Sequence, residues 1–362
     1  MSDRRLYSSK NSIQCAPLRS FKSRESAFRF GAWFAATQGN AKAARFCEEA
    51  GILVTRAGSE GINTAGGLLV PTEFLSVLYS VLELRGVIRA TADVVPIGRD
   101  VANITKVLTG LTAYFVGEGT APTQSQPVLT SLSLVAKKLA TYQIVSGELE
   151  EDALIDIGDL LMTLAAYAFA SKEDDCGFNG DGTSTYGGVT GIATQLLDGT
   201  HNAGKVTAAA GHDLFSEIDG TDLANLIGKL PAYALVDAGW FISQMGYALV
   251  MCRLAASAGS ILIQETATGR RLPHFMGFPV YLTQVLPNVA TTLNGAVMMA
   301  FGDMRRAVTL ADRRQPTLAR ADQAQTFAED QIQFRVTERI DIDVHNLGDN
   351  TTAGAVVGLV GG

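Results

Sequence analysis

From Thr91 to Ser146 the chain keeps almost no helical period. β-Branched residues, alternating polarity and a turn-rich centre, GEGTAPTQSQP at residues 117 to 127, predict one long antiparallel hairpin instead. In its second half the even positions Val128, Thr130, Leu132, Leu134, Ala136, Ala140, Tyr142 and Ile144 form a mostly apolar face, interrupted by Lys138. Nineteen residues of strand, Val128 to Ser146, reach about 60 Å at about 3.3 Å each. A compact body of about 300 residues has a radius of gyration near 19 Å, so a straight hairpin of this length must leave the body. Another copy of the same chain is the simplest surface for it to lie on. The alternative is a strongly bent or interrupted pair of strands inside an ordinary α+β sheet.

The rest of the chain alternates helical and strand patterns. Residues 25 to 50 read as two helical pieces broken at Gly39-Asn40, with Phe30, Trp33, Phe34 and Phe46 as apolar anchors. Gly51 to Thr64 loses any period and reads as an extended arm or linker. GGLLVP at residues 66 to 71 precedes a helix-like run, FLSVLYSVLELRG, whose closing Gly86 suits a C-cap. After Ser146, Leu154, Ile157, Leu161, Leu164 and Ala168 step by three and four residues, which predicts a long amphipathic helix to about Asp175. Helices are expected at Asp213 to Leu230 and Gly239 to Ala258, and strands at Ala232 to Val236, Pro279 to Thr283 and Ala296 to Phe301. Ala307 to Val344 alternates as strand again, with a polar loop near Arg313 to Gln325. No regular βαβ repeat appears, so the class is α+β.

Composition narrows the function. With 47% hydrophobic and 18% charged residues, the 362-residue chain does not have the make-up of a disordered protein. No stretch approaches 18 uncharged apolar residues, and the basic first 20 residues lack the apolar core of a secretory signal, which points to the cytoplasm. Cys15, Cys47, Cys176 and Cys252 lie far apart with no CxxC pair, so buried free thiols are expected rather than a zinc site or a disulfide framework. Residues 1 to 57 carry ten Lys/Arg and four Asp/Glu, a balance of +6, which leaves −13 on the rest. Such a basic leader faces nucleic acid or an acidic surface of a sister subunit, or is a solvated helical extension.

No catalytic constellation emerges. NGDGT at residues 179 to 183 lacks both the twelfth-position Glu of a calcium loop and the Lys of a phosphate cradle, so it reads as a turn. The acidic run Glu148, Glu150, Glu151, Asp152, Asp156 and Asp159 suits a helix entry and an inter-subunit salt-bridge surface. Glu173, Asp174 and Asp175 sit at the unfavourable end of the same helix, which calls for cations from another segment or copy. Arg305, Arg306, Arg313, Arg314 and Arg320 are the candidates, since Arg forks suit carboxylates at interfaces. Glu118 in the hairpin's turn and Lys137 and Lys138 in its return strand complete the candidate contact residues. His201, His212, His274 and His345 are scattered, without a nucleophile and base motif, and no cofactor or metal is expected.

The order of these pieces resembles the major capsid proteins of tailed bacteriophages, with the fold named after phage Hong Kong 97. The likeness is carried by GGLLVP (66 to 71), LTAYFVGEGTAPTQSQP (111 to 127), VSGELEEDA (145 to 153), FNGDGT (178 to 183), MGFPVYLT (276 to 283), FGDMRRAVTL (301 to 310) and QIQFRVTERID (331 to 341). The resemblance implies a basic extension at 1 to 57, an arm and entry at 58 to 90, and a projecting E-loop at 91 to 145. It further implies a P domain at 146 to 193 and 303 to 344 with the long helix as its spine, an A domain at 194 to 302, and a C-terminal return at 345 to 362. Some members cross-link an E-loop Lys to a P-domain Asn beside a Glu; those places fall near Thr123, Asp330 and Thr337, which implies a shell held non-covalently. The aromatic leader implies a retained docking arm rather than a segment removed on maturation. Implied partners are other copies in pentamers and hexamers, scaffolding, portal and decoration proteins, and packaged double-stranded DNA, with no membrane. An encapsulin-type compartment and a soluble α+β enzyme are the alternatives.

Overall fold

The computed structural model describes residues 24–37, 41–52, 56–57, 67–68, 86–109, 113–118, 121, 123–126, 128–146, 154–257, 263–265, 271–321 and 331–362. They fall into two units. One comprises the described parts of Met1–Tyr79, Tyr142–Ala165 and Leu318–Phe334, and the other those of Ser80–Thr141, Ala166–Thr317 and Arg335–Gly362.

In the first unit, helices α1 (Arg24–Thr37) and α2 (Ala41–Glu49) flank the expected break at Gly39-Asn40, which itself lies outside the described residues. They pack through aromatic side chains. Phe30 and Trp33 are buried, with ring centroids 5.6 Å apart, and Phe28 meets Phe46 edge-on at 5.3 Å. Strands β1 (Arg56–Ala57) and β2 (Gly67–Leu68) pair antiparallel. The helix expected over FLSVLYSVLELRG lies outside the described residues.

The second unit begins with helix α3 (Val87–Thr91) and strand β3 (Asp93–Pro96). Strands β4 (Val101–Thr109) and β5 (Val128–Val135) form an antiparallel ribbon in register from Val101↔Val135 to Thr109↔Val128. Strand β6 (Lys137–Ser146) follows, then helix α4 (Leu154–Asn179), which enters this unit at Ala166. Helices α5 (Ile192–Leu196) and α6 (Gly220–Lys229) flank β7 (Lys205–Thr207). Then come β8 (Gly239–Ile242), β9 (Ile263–Glu265), β10 (Arg271–Phe275), β11 (Phe278–Leu282) and β12 (Val297–Gly302). The long strands β13 (Val308–Ala321) and β14 (Gln331–Val344) precede β15 (Val356–Val360).

Seven strands make one mixed sheet in the order β7-β15-β12-β8-β11-β10-β9. Its centre is buried on both faces, which suits the unbroken apolar runs GWFI in β8 and VMMAF in β12. Trp240 lies 4.3 Å from Phe301 by ring centroid and donates its indole N–H to Phe275 O at 3.1 Å, so its one polar group is satisfied inside the core. The β10–β11 hairpin turns on Met276 (φ 51°) and Gly277 (φ 85°), two positive-φ positions as a twisted two-residue turn requires. The other sheet brings β13 between β3, its parallel neighbour, and β14, with β6 beyond β14. Ile97, Leu134 and Ala311 form a small separate core where the base of the β4–β5 ribbon meets β13. In the first unit, Leu68 of β2 pairs with Leu318 of β13.

Several expectations are corrected. The hairpin's return strand is interrupted at Ala136, whose N–H donates to Asp100 O at 3.0 Å. Before the break the even positions turn inward, with Leu134 fully buried. After it the phase slips by one, leaving Tyr142 and Ile144 more than half exposed. In α4 the buried stripe is Ala165, Ala166, Phe169, Ala170, Glu173 and Cys176, whereas Leu164 and Ala168 face out. Alanines at 165, 166 and 170 let the helix seat closely around Phe169, so the Leu and Ala residues that carry the period in sequence do not all mark its inner face. Ala232 to Val236 starts with a 3₁₀ turn, Ala232–Ala234, rather than a strand. Gly239 to Ala258 begins as strand β8, and helix starts only after the Ser243 cap, at Gln244–Gly246, continuing through the π-helical Tyr247–Cys252 and Arg253–Ser257. The helix in Asp213 to Leu230 is confined to α6 by the capping box of Asp219 and Asp222. β13 runs on to Ala321, through most of the loop expected at Arg313 to Gln325.

Candidate subunit-contact surfaces

The acidic end of α4 is neutralised within the chain. Arg89, from α3, donates through Nε to Glu173 Oε2 at 2.9 Å and through Nη2 to Glu173 Oε1, a bidentate pair. Its Nη1 lies 3.4 Å from Asp312 of β13, and its Nη2 3.9 Å from Glu338 Oε2 of β14. Arg89, Glu173 and Glu338 are 6%, 0% and 1% exposed, so one cation serves three carboxylates in a nearly dry site. Burial, reinforced by the neighbouring charge of Glu173, pushes Glu338 well above the usual carboxylate range. Burial alone would lower Arg89, but its bonds to Glu173 and the surrounding carboxylates outweigh that and raise it.

The next carboxylate meets backbone rather than a cation. Asp174 accepts the N–H groups of Val87 (3.0 Å) and Ile88 (2.8 Å), the orphan donors of α3's first turn. Burial raises it to about 6, against the lowering effect of those two bonds. Asp175 pairs with Lys172 of its own helix at 2.9 Å. Among the described residues these three carboxylates are thus met by Arg89, backbone amides and Lys172, and not by Arg305, Arg306 or Arg313. Arg306 Nε bonds Asp303 at 3.0 Å and Arg313 pairs with Asp100, which Arg339 also reaches at 2.8 Å. Arg305 is exposed, and its backbone N–H caps onto Asp303. Arg314 and Arg320 lie on β13 with side chains outside the described residues. Glu148, Glu150, Glu151 and Asp152 also lie outside them. Sequence reasoning missed Arg89, Asp312 and Glu338; the one available signal was a lone Arg inside the apolar run GVIRATADVV.

Turn chemistry closes the helix as expected. Gly180 follows Asn179, and a Cβ there would stand 2.5 Å from both Cys176 O and Val189 O, so only glycine fits. Asp181 accepts from Thr183 N–H at 2.9 Å. His212, Asp219 and Asp222 gather within 4.8 Å, but Asp219 accepts the amides of Thr221 and Asp222, and Asp222 accepts His212 Nδ1 at 2.7 Å. Their oxygens cap the first turn of α6.

Among the exposed large apolar side chains, which also include Val236 at 80%, one run of three consecutive residues lies in the loop and two more lie on its return strand. Tyr114, Phe115 and Val116 are 52%, 111% and 41% exposed, and Tyr142 and Ile144 are 54% and 52% exposed. Glu118, Lys137 and Lys138 are exposed beside them in sequence. A cleft of about 130 Å³, open to solvent, lies between β6, α4, the Ser184–Tyr186 turn and β14. Its apolar walls include Val189, Ile340 and Ile342, and Lys137, Lys138 and Lys172 line it.

This inventory, buried charges committed within the chain and apolar surface left bare on a loop, is that of a structural subunit, and the comparisons agree. A search of curated proteins finds no match. The fold is similar to the capsid of a native GTA particle, with TM-score 0.56 and 22% identity, covering 86% of this chain and 96% of that one. It is similar also to structures from Mycobacterium phage Bobi (TM-score 0.53, 18% identity, 87% and 98% covered) and Microbacterium phage Oxtober96 (0.54, 15%, 87% and 99%). The model of the Phage capsid family matches residues 66–347, well over half of the chain. The chain belongs to the phage capsid family, as a structural shell protein and not an enzyme.

Proposed function

We propose that the chain assembles as pentamers and hexamers into an icosahedral shell that encloses double-stranded DNA. The observation that carries this reading is the exposed run Tyr114, Phe115 and Val116, three consecutive large apolar side chains, with Tyr142 and Ile144 exposed on the return strand. In this reading residues 91 to 145 are the loop laid on neighbouring subunits, 146 to 193 with 303 to 344 the peripheral domain, and 194 to 302 with the C-terminal return the axial domain. Each contact is weak alone, and many of them close the shell through multivalency. The leader, +6 over residues 1 to 57, is retained and faces the packaged DNA or a neighbour.

Negative-stain electron microscopy of the purified chain, with light scattering for mass, tests the assembly. Closed shells or ring-shaped capsomers are expected. Nuclease treatment of particles from infected cells then tests the content: protected double-stranded DNA supports the phage shell, and enclosed enzymes without nucleic acid contradict it in favour of a protein compartment.

A further inference from the structure

Glu338 stands where the strand pattern calls for an apolar residue. The even positions Ile340, Ile342 and Val344 of β14 are buried, and Glu338 shares their face. The charges at this site do not balance. Arg89 is spent on Glu173, both of whose oxygens accept from its fork, and on Asp312 at 3.4 Å. Glu338 is left with Arg89 Nη2 at 3.9 Å, beyond hydrogen-bond length. Its Oε1 is buried with no hydrogen-bond partner among the described residues. With all three carboxylates ionised, one cation would face three anions in a nearly dry site, an arrangement that costs several kcal/mol. Neighbouring groups bring no relief. Arg339 and Asp341, on the strand's other face, go to Asp100 and to the Val135 N–H, and Lys137 of β6 lies in the field of Asp341. Asp174 of α4 accepts the α3 amides. Among the described residues, the charged groups that face Glu338 are Arg89 of α3, Glu173 of α4 and Asp312 of β13.

We propose that Glu338 is a neutral carboxylic acid in the folded chain at neutral pH and donates its proton to Glu173, so that β14 is fastened to α3 and α4 by a proton as well as by Arg89. A carboxyl that keeps its proton becomes a donor, and Glu173 has lone pairs to spare after accepting the Arg89 fork. Two carboxylates sharing one site do not both ionise, and the second holds its proton. Burial and the charge of Glu173 act on Glu338 in the same direction. The joint is internal to one chain, so it exists whether or not copies assemble. It is also pH-sensitive, with an alkaline sense: once the proton leaves, two adjacent carboxylates have no donor between them. The folded chain keeps this proton above pH 4.5, the ordinary glutamate value, where an opened chain releases it. Its stabilising effect is therefore complete below about pH 4.5 and is lost as pH rises toward the native value. Within that window the opening of β14 should become about tenfold easier per pH unit.

The test compares the full chain with Glu338→Gln, whose amide still donates toward Glu173 but does not titrate. Infrared spectra of protein labelled with carbon-13 at the glutamate carboxyls should show a protonated-carboxyl band at neutral pH, and the band should vanish in the variant. Hydrogen exchange of the β14 amides, corrected for the intrinsic pH dependence, is then followed from pH 5 to 7. Protection in the native chain should fall about tenfold per pH unit relative to Glu338→Gln. Asp174 titrates in both chains and cancels in the comparison. The proposal is overturned if the labelled native chain lacks the band, if the band survives in the variant, or if the two chains show the same pH slope. A Glu338→Gln chain that fails to fold overturns it too, since a neutral group of the same shape is tolerated where the native group is itself neutral.

Discussion

Arg89 illustrates how little of the internal chemistry a residue's neighbours in sequence disclose. Removing it would leave Glu173, Glu338 and Asp312 facing one another without a cation. Arg89→Met should therefore destabilise the chain by about 3 to 5 kcal/mol, read by calorimetry of unassembled protein. Asp174 makes a pH prediction of opposite sense to the usual surface carboxylate. Its folded pKa, about 6, lies above its ordinary value of 3.8, so the folded state holds the proton more tightly. Its contribution to stability is present below about pH 4 and is lost as pH rises through about 6, by up to about 3 kcal/mol. Compared with Asp174→Asn, the native chain should gain relative stability on acidification from pH 7 to 4; a flat difference would contradict the assignment. The acidic triplet at the end of α4 was legible as a place needing compensation. That Arg89 and the α3 amides provide it was not, because the partners lie 84 and more residues away and only the fold brings them together.

At the level of elements, strong period and special backbone positions were readable and buried apolar runs were not. The paired N-terminal helices, α4, β11 and β12 follow from pattern alone. GWFI was read as helix because four consecutive apolar residues suit a buried strand and a buried helix equally. The β5–β6 break escaped notice because the alternation of apolar residues continues in sequence while the strand's phase slips at Ala136. Glycines give a direct check on the packing. Gly302, at φ +149°, would place a Cβ 2.2 Å from Ala355 O where β12 meets β15, so Gly302→Ala should cost at least about 2 kcal/mol. Gly228, exposed on α6 with nothing within 4 Å, is the control, and Gly228→Ala should stabilise by about 0.5 to 1 kcal/mol. Thermal unfolding of the two variants reads both signs in one experiment.

For the whole molecule, the family was legible from the order of its motifs, while the contacts that join copies leave no periodic trace in one sequence. The resemblance implies that Thr123, Asp330 and Thr337 fall near the cross-linking places of some members, and none is the Lys, Asn or Glu such a bond needs; for the non-covalent shell proposed, mature particles boiled in SDS should run as a single band near 38 kDa. A ladder of resistant oligomers would contradict a non-covalent shell. The central claim is that the bare loop surface is covered by another copy. Cryo-electron microscopy of assembled particles, at a resolution that traces side chains over residues 101 to 146, tests it most directly. Phe115, Tyr142 and Ile144 should pack against neighbouring chains in every capsomer; particles in which these side chains remain in solvent would contradict coverage by another copy.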